Sequence, residues 1–228
     1  MPPRLVLGAF LMLTTLACSD AGLIDSPALD RLVVQCILLP SQARQKIWVS
    51  RTVPNQDNAF VAVNEAEVTV NETVFALQDS VDWRDPYNFY SEHLAVIPGS
   101  RYTLRLHSPK YGEVFGEVFV PGEFEILAPA GDARLQWTQS RHAYAYAVNL
   151  LKTDFTVQFF ATVRDTFYVL PPGVTAGAYF FEVSALDQNY HSFTTLSKPA
   201  AGISGAYGLM GAVLRKKQGV LLGADRQP

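Results

Sequence analysis

Reactive side chains are scarce in this 228-residue chain, which has two cysteines, three methionines, three tryptophans and four histidines. Two cysteines are too few for a zinc ribbon or a disulfide framework. His93, His107, His142 and His191 are scattered, with no i, i+2 or i, i+4 pair to hold a metal. No Gly-x-Ser-x-Gly elbow is present, and no glycine-rich loop precedes a helical pattern that would cradle phosphate. No catalytic residue, metal or cofactor is therefore expected. An excess of one charge is missing too. Eighteen Lys and Arg against 21 Asp and Glu leave a formal net charge of -3, which gives nucleic acid nothing to hold. Nor is there an apolar run of the roughly 20 residues that a membrane-spanning helix needs.

What the chain does have begins at its amino end. Met1-Pro-Pro-Arg4 is a short basic start, Leu5 to Leu16 is an uncharged apolar core, and Ala17 is a small residue before Cys18. That is the plan of a secretory signal peptide. The step from Thr15-Leu16-Ala17 into Cys18 resembles the lipobox of bacterial lipoproteins. The resemblance implies cleavage after residue 17 and a lipid on Cys18, with residues 18–30 as a tether of about 40 Å when extended. Ser19, rather than an acidic residue, follows the cysteine, which by the same analogy favours the outer membrane of a bacterial envelope. If Cys18 carries lipid, Cys36 has no disulfide partner, and the run Leu32-Val-Val-Gln-Cys-Ile-Leu-Leu39 suits it as a small core hydrophobe.

From Arg31 onward the pattern is one of strands. Leu32 to Leu39 is a near-continuous apolar run, Tyr102-Thr-Leu-Arg-Leu106 alternates strictly, and Thr73 to Leu77 is set to pair with Glu65 to Val70 across Asn71-Glu72. Turn signals recur at Pro98-Gly-Ser100, Pro121-Gly122 and Pro171-Pro-Gly173. No window carries an apolar helix face longer than three turns. The expectation is an all-β chain of two consecutive immunoglobulin/fibronectin-like β-sandwich domains, residues 31–121 and 122–214, followed by a flexible tail over 215–228. The glycine-rich stretch 202–214 is expected to dock as a final strand.

Two resemblances add to this. Trp137 on an early strand, Tyr146 on the next, and Leu170-Pro-Pro-Gly173 ahead of Tyr179-x-Phe181-x-Val183-x-Ala185 make residues 122–193 similar to a fibronectin type III domain. That implies a core built on Trp137, Tyr146 and Tyr179 beside a corner, with a longer spacing from Leu170 to Tyr179 than is usual. The lipobox, Leu32-Val-Val34, Pro98-Gly-Ser-Arg-Tyr-Thr-Leu104 and Ser204-Gly-Ala-Tyr-Gly-Leu-Met-Gly-Ala212, in that order, resemble a family of bacterial envelope lipoproteins of unknown function. Its members are often encoded near TonB-dependent receptors. The implied role is a non-enzymatic, membrane-anchored binding or accessory protein whose partner is an envelope protein such as an outer-membrane transporter.

One loop stands out as a candidate ligand-binding surface. Gln78 to Tyr90 brings Trp83, Tyr87 and Tyr90 beside Arg84, residue types enriched at binding hot spots. Asp79, Asp82 and Asp85 lack the spacing of a calcium loop. The same aromatics suit a glycan, so a carbohydrate-binding surface lipoprotein is the alternative. An envelope hydrolase with a triad assembled in space is a third.

Overall fold

A computed structural model describes residues 30–53, 60–78, 85–130 and 134–223. The leader, Cys18 and nearly all of the tether lie outside the described residues, as do Asp79, Asp82, Trp83 and Arg84.

In chain order the strands are β1 (Leu32–Leu38), β2 (Gln45–Thr52), β3 (Phe60–Ala62), β4 (Glu67–Val70), β5 (Thr73–Leu77), β6 (Phe89–Ser91), β7 (Arg101–Ser108) and β8 (Gly112–Phe119). There follow β9 (Ile126–Ala130), β10 (Arg134–Trp137), β11 (Ala145–Lys152), β12 (Val157–Val163), β13 (Phe167–Val169) and β14 (Gly177–Leu186). Helix α1 (Gln188–Leu196) leads to β15 (Ala200–Ala201), β16 (Ile203–Ser204) and β17 (Tyr207–Leu222). The fold is all-β, and its strands form two immunoglobulin/fibronectin-like sandwiches.

Alternation builds the first unit. Leu32, Val34, Cys36 and Leu38 point inward from β1, while the residues between them stay half-buried. They meet Ile47 and Val49 of β2 and, across the interior, Val68, Val70, Leu104, Leu106, Val114 and Val118. Strands β17-β1-β2-β6 make one layer and β5-β4-β7-β8 the other, joined where β5 pairs with β6. Asn71 and Glu72 both take positive φ, 44° and 67°, in the two-residue turn between β4 and β5. Cys36 is a fully buried free cysteine, and burial pushes its thiol up to about 12.

The second unit sets the sheet β13-β10-β9 against β12-β11-β14-β17. Its core holds Trp137, Tyr146, Leu150, Tyr179 and Phe181, with Trp137 edge-on to Tyr146 at 5.4 Å. The corner implied by the fibronectin resemblance is present despite its long approach. The Tyr179 hydroxyl donates to the Thr175 carbonyl at 3.0 Å, just ahead of its own strand.

The expected boundaries need correction at the carboxyl end. Residues 215–222 are not a tail but the second half of the 16-residue strand β17. Residues Tyr207 to Ala212 pair in parallel with β1, and Val213 to Leu222 pair antiparallel with β14. One strand therefore closes both sandwiches. The first unit is also discontinuous. After β14 the chain returns to it through β15, which pairs with β17, and β16, which pairs with β8. Strand β6 is short: it stops at Ser91, and residues 92–97 leave the sheet.

Two close approaches fix β17 in place. At Gly208 (φ +115°) a Cβ would lie 2.0 Å from the Val34 carbonyl oxygen, and at Gly211 one would press on Asp187 and Tyr190 of the helix start. Asp187 caps α1. Its carboxylate accepts from the backbone N–H of Asn189 at 2.8 Å and Tyr190 at 3.1 Å, and from Ala212 of β17 at 2.8 Å. Asn189 Nδ2 then donates to the carbonyls of Met210 at 3.0 Å and Glu117 at 2.9 Å. The helix start thus ties β17 to β8.

Candidate functional site

The described part of the aromatic loop is built on Asn88, which the sequence reading did not single out. Asn88 is fully buried. Its Oδ1 accepts from the Val49 N–H at 2.8 Å, and its Nδ2 donates to the carbonyls of Val49 and Val63 at 2.9 and 3.0 Å. Both ends of its amide are thus committed to the frame. Its own carbonyl accepts from the Gln78 N–H at 2.8 Å, closing the loop at its base. An asparagine between Tyr87 and Phe89, in otherwise apolar surroundings, is the signal that would have found it.

This frame orders a row of cations and rings. Tyr90 sits opposite Lys46 in the β2–β6 register. The Arg44 guanidinium lies 3.8 Å over the Tyr90 ring, with Glu92 3.8 Å from its Nε. Lys46 is ion-paired with Asp85 and stands 5.9 Å from the centre of the Tyr87 ring. Tyr87 and Tyr90, two of the four expected binding residues, therefore flank one lysine. Each already has a cation over one face, which removes that face as a stacking platform. Trp83 and Arg84 lie outside the described residues, and Asp85 is ion-paired with Lys46.

Beside this row lies a cleft of about 450 Å³. One wall is Ile37, Leu39, Lys46, Asp85 and Tyr87 of the first unit, and the other is Tyr190 of α1 with Val213 and Arg215 of β17. Gln45 stiffens its rim. The buried amide accepts from Leu39 N–H at 3.1 Å and donates to the carbonyls of Leu39 and Gln42 at 2.9 and 2.7 Å. A second hollow of about 560 Å³ shares Tyr190, Val213 and Arg215 and runs on past Asn149 to Phe160. Arg215 lies 3.4 Å from Ser184 Oγ and 3.7 Å from Glu182 Oε1, so a cation is held between the two hollows. Tyr190 and Arg215 were missed because neither belongs to a motif. Only the return of α1 and β17 brings them to Lys46.

A larger groove, about 810 Å³, lies elsewhere, between β8 and the start of α1. Several of its side chains are already engaged. Glu117 pairs with Arg101, and Phe119 stacks with His142 at 4.8 Å. Size alone does not recommend it over the cleft, where two cations and two tyrosines meet at the junction of the units.

The other histidines stand apart. His107 pairs with Glu113 at 2.6 Å, His93 is exposed, and His191 is buried against Tyr144 with ring centres 4.9 Å apart. Burial, with the nearby Arg164 charge, pulls the His191 imidazole below its usual range. Among the described residues, no three His, Cys, Asp or Glu side chains cluster as metal ligands would, and no helix is long and apolar enough to cross a membrane.

A family model described as a domain of unknown function, DUF4249, matches residues 20–182. No curated protein matches the chain. Among solved structures, a tetra-tandem repeat from the extending region of a large adhesion protein is 13% identical with a TM-score of 0.26. That alignment takes in 86% of this chain and 50% of the other, so the chain spans about half the length of that structure.

Proposed function

The chain belongs to the DUF4249 family, and from that premise we propose that it is a non-enzymatic, lipid-anchored protein of the bacterial envelope. It binds or assists another envelope protein, foremost a TonB-dependent outer-membrane transporter. The observation that carries this reading is the junction cleft. Lys46 and Tyr87 from one sandwich share it with Tyr190 and Arg215 from the helix and the common strand. Tyr and Arg in a partly desolvated hollow are the side chains that dominate protein–protein affinity, and Trp83 and Arg84 immediately precede Asp85 in the sequence. The family resemblance supplies the transporter. The leader and Cys18 supply the anchor, and Ser19 favours the outer membrane.

Capture from detergent-solubilised envelope tests the partner. Wild-type protein is expected to retain a transporter, and Tyr87→Ala or Arg215→Glu to lose it. Recovery of the wild type alone, or equal capture by both variants, would overturn the accessory role. For the anchor, Cys18→Ala should release the protein from membranes, and continued sedimentation with them would refute lipidation.

A further inference from the structure

We propose that two copies of this chain associate through β12, edge to edge and antiparallel, to join their second sandwiches into one eight-stranded sheet. The inference goes beyond the binding role above and does not depend on it.

Among the described strands, the exposed edges are blunted in familiar ways. β9 contains Pro129, β13 and β3 have three residues each, and β15 and β16 have two. The middle of the β8 edge is capped by β16 at Phe115 and Gly116, where Ser204 Oγ donates to the Phe115 carbonyl at 3.3 Å. The open half of β17 carries Arg215, Lys216 and Lys217. β12 has none of these devices. It ends its sheet, is seven residues long, reads Val-Gln-Phe-Phe-Ala-Thr-Val, and contains no charge, proline or glycine. Its side chains are left in water as well. Val157 is 57% and Phe160 62% exposed, and Phe155 just before the strand is 59% exposed. Phe155 is held at φ +64° and stacked on Phe180 at 5.4 Å, with Lys217 over both rings.

Charge selects a second copy and sets its direction. Lys152 and Asp154 precede the strand, and Arg164 and Asp165 follow it. Antiparallel pairing centred on Phe159 sets Asp154 of each copy opposite Arg164 of the other, giving two opposite-charge pairs related by the two-fold axis. Parallel pairing would set each charge against its own like. The antiparallel arrangement is two-fold symmetric, the commonest closed form, and consumes both edges so that no filament grows. It also apposes Phe160 with its neighbours from both copies on one face.

Sedimentation velocity of the mature chain bearing Cys18→Ser, which keeps every described residue, provides the test. A monomer–dimer equilibrium that shifts with concentration is expected. Phe160→Lys should abolish the dimer by placing like charges across the two-fold axis, and so should Phe160→Glu. Because the position is exposed, both variants should keep the wild-type circular dichroism spectrum. Mixing the two should restore a dimer at least tenfold tighter than either variant alone forms. A wild type that stays monomeric over the whole concentration range overturns the proposal. So does a dimer that neither substitution weakens, or a charge-swapped pair that fails to recombine.

Discussion

Ending the chain at Leu214 should unfold the second sandwich, although residues 215–228 look dispensable in the sequence. Val220 and Leu222 are 6% and 4% exposed and belong to the core around Trp137 and Phe181. Burial of each contributes about 1.5–3 kcal/mol, so the two remove about 3–6 kcal/mol. Eight residue pairs, from Ser184–Arg215 to Gly177–Leu222, lose their partners at the same time. This leaves the β14 backbone open and Phe181 under a missing neighbour. Against a typical domain stability of about 5–15 kcal/mol, that loss is decisive. The control is a chain ending at Gly223, which keeps all of β17. Urea unfolding followed by tryptophan fluorescence reports on buried Trp137, and near-ultraviolet circular dichroism reports on the aromatic cluster. The shorter chain is expected to have lost the near-ultraviolet signal in buffer, while the control unfolds like the full chain. If the two truncations share one midpoint, β17 does not close the second unit and the argument fails.

Three further outcomes follow from named contacts. Asp187→Ala removes the α1 cap, worth about 1 kcal/mol, and strands the Ala212 N–H, worth about 1–3 kcal/mol, so a loss of about 2–4 kcal/mol is expected in urea titrations. Asp187→Asn, which keeps an acceptor, should lose less than half as much; equal losses would refute the capping role. The depressed His191 imidazole means that the unfolded chain binds the extra proton first. Stability should therefore fall as pH drops below about 6.5, the unfolded histidine value. His191→Phe should flatten the midpoint-against-pH curve in that window, and an unchanged slope would contradict the assignment. Asp30 is held by Lys110 at 2.6 Å, Tyr111 at 2.9 Å and Arg51 at 3.5 Å, and its carboxyl is lowered chiefly by the Lys110 hydrogen bond. Its clasp should persist through neutral pH and open only as pH falls below the usual carboxylate range. Asp30→Ala should speed amide exchange at Arg31 and Leu32 without moving the unfolding midpoint, and protection equal to wild type would count against the clasp.

Elements whose side chains alternate were legible in the sequence, and elements defined by a distant partner were not. β7 announces itself because one face is core and the other largely meets water, and β1 because a near-continuous apolar run suits a strand buried on one face and half-buried on the other. Trp137, Tyr146 and Tyr179 were readable as packing residues because large aromatics at those spacings have few other uses. The second half of β17 hid behind its charges. Arg215-Lys-Lys-Gln218 resembles a solvated tail, yet those side chains protect an open edge, and Lys216 reaches Glu123 at 2.5 Å. Helix α1 hid because Gln188-Asn-Tyr-His-Ser-Phe-Thr-Thr-Leu196 is poor in strong helix formers, and its helicity rests on the Asp187 cap and on packing against β17. At the candidate site, Tyr87 and Tyr90 were visible as aromatics. Their engagement by Arg44 and Lys46 depends on a strand more than forty residues earlier, a pairing that no local pattern encodes.

The shared strand also decides what kind of binding site the cleft is. Two sandwiches joined by a linker would let a junction cleft open and close, and a partner would have to restrain that motion at an entropic cost. Here the linker is a strand bonded on both sides of the junction. Tyr190 stands on a helix whose first turn is fastened to Ala212 by Asp187, and to Met210 and Glu117 by Asn189. Gly211 lets that turn sit close against the strand, where a Cβ would lie only 3.1 Å from Asp187 Oδ1 and Tyr190 Cβ. Gln45 and Asn88 fix the opposite wall by six hydrogen bonds to backbone. Both walls are thus ordered before anything binds. Substitutions at Asp187 or Gly211, which touch no partner, should therefore weaken partner capture nearly as much as Tyr87→Ala does, by loosening the wall that carries Tyr190.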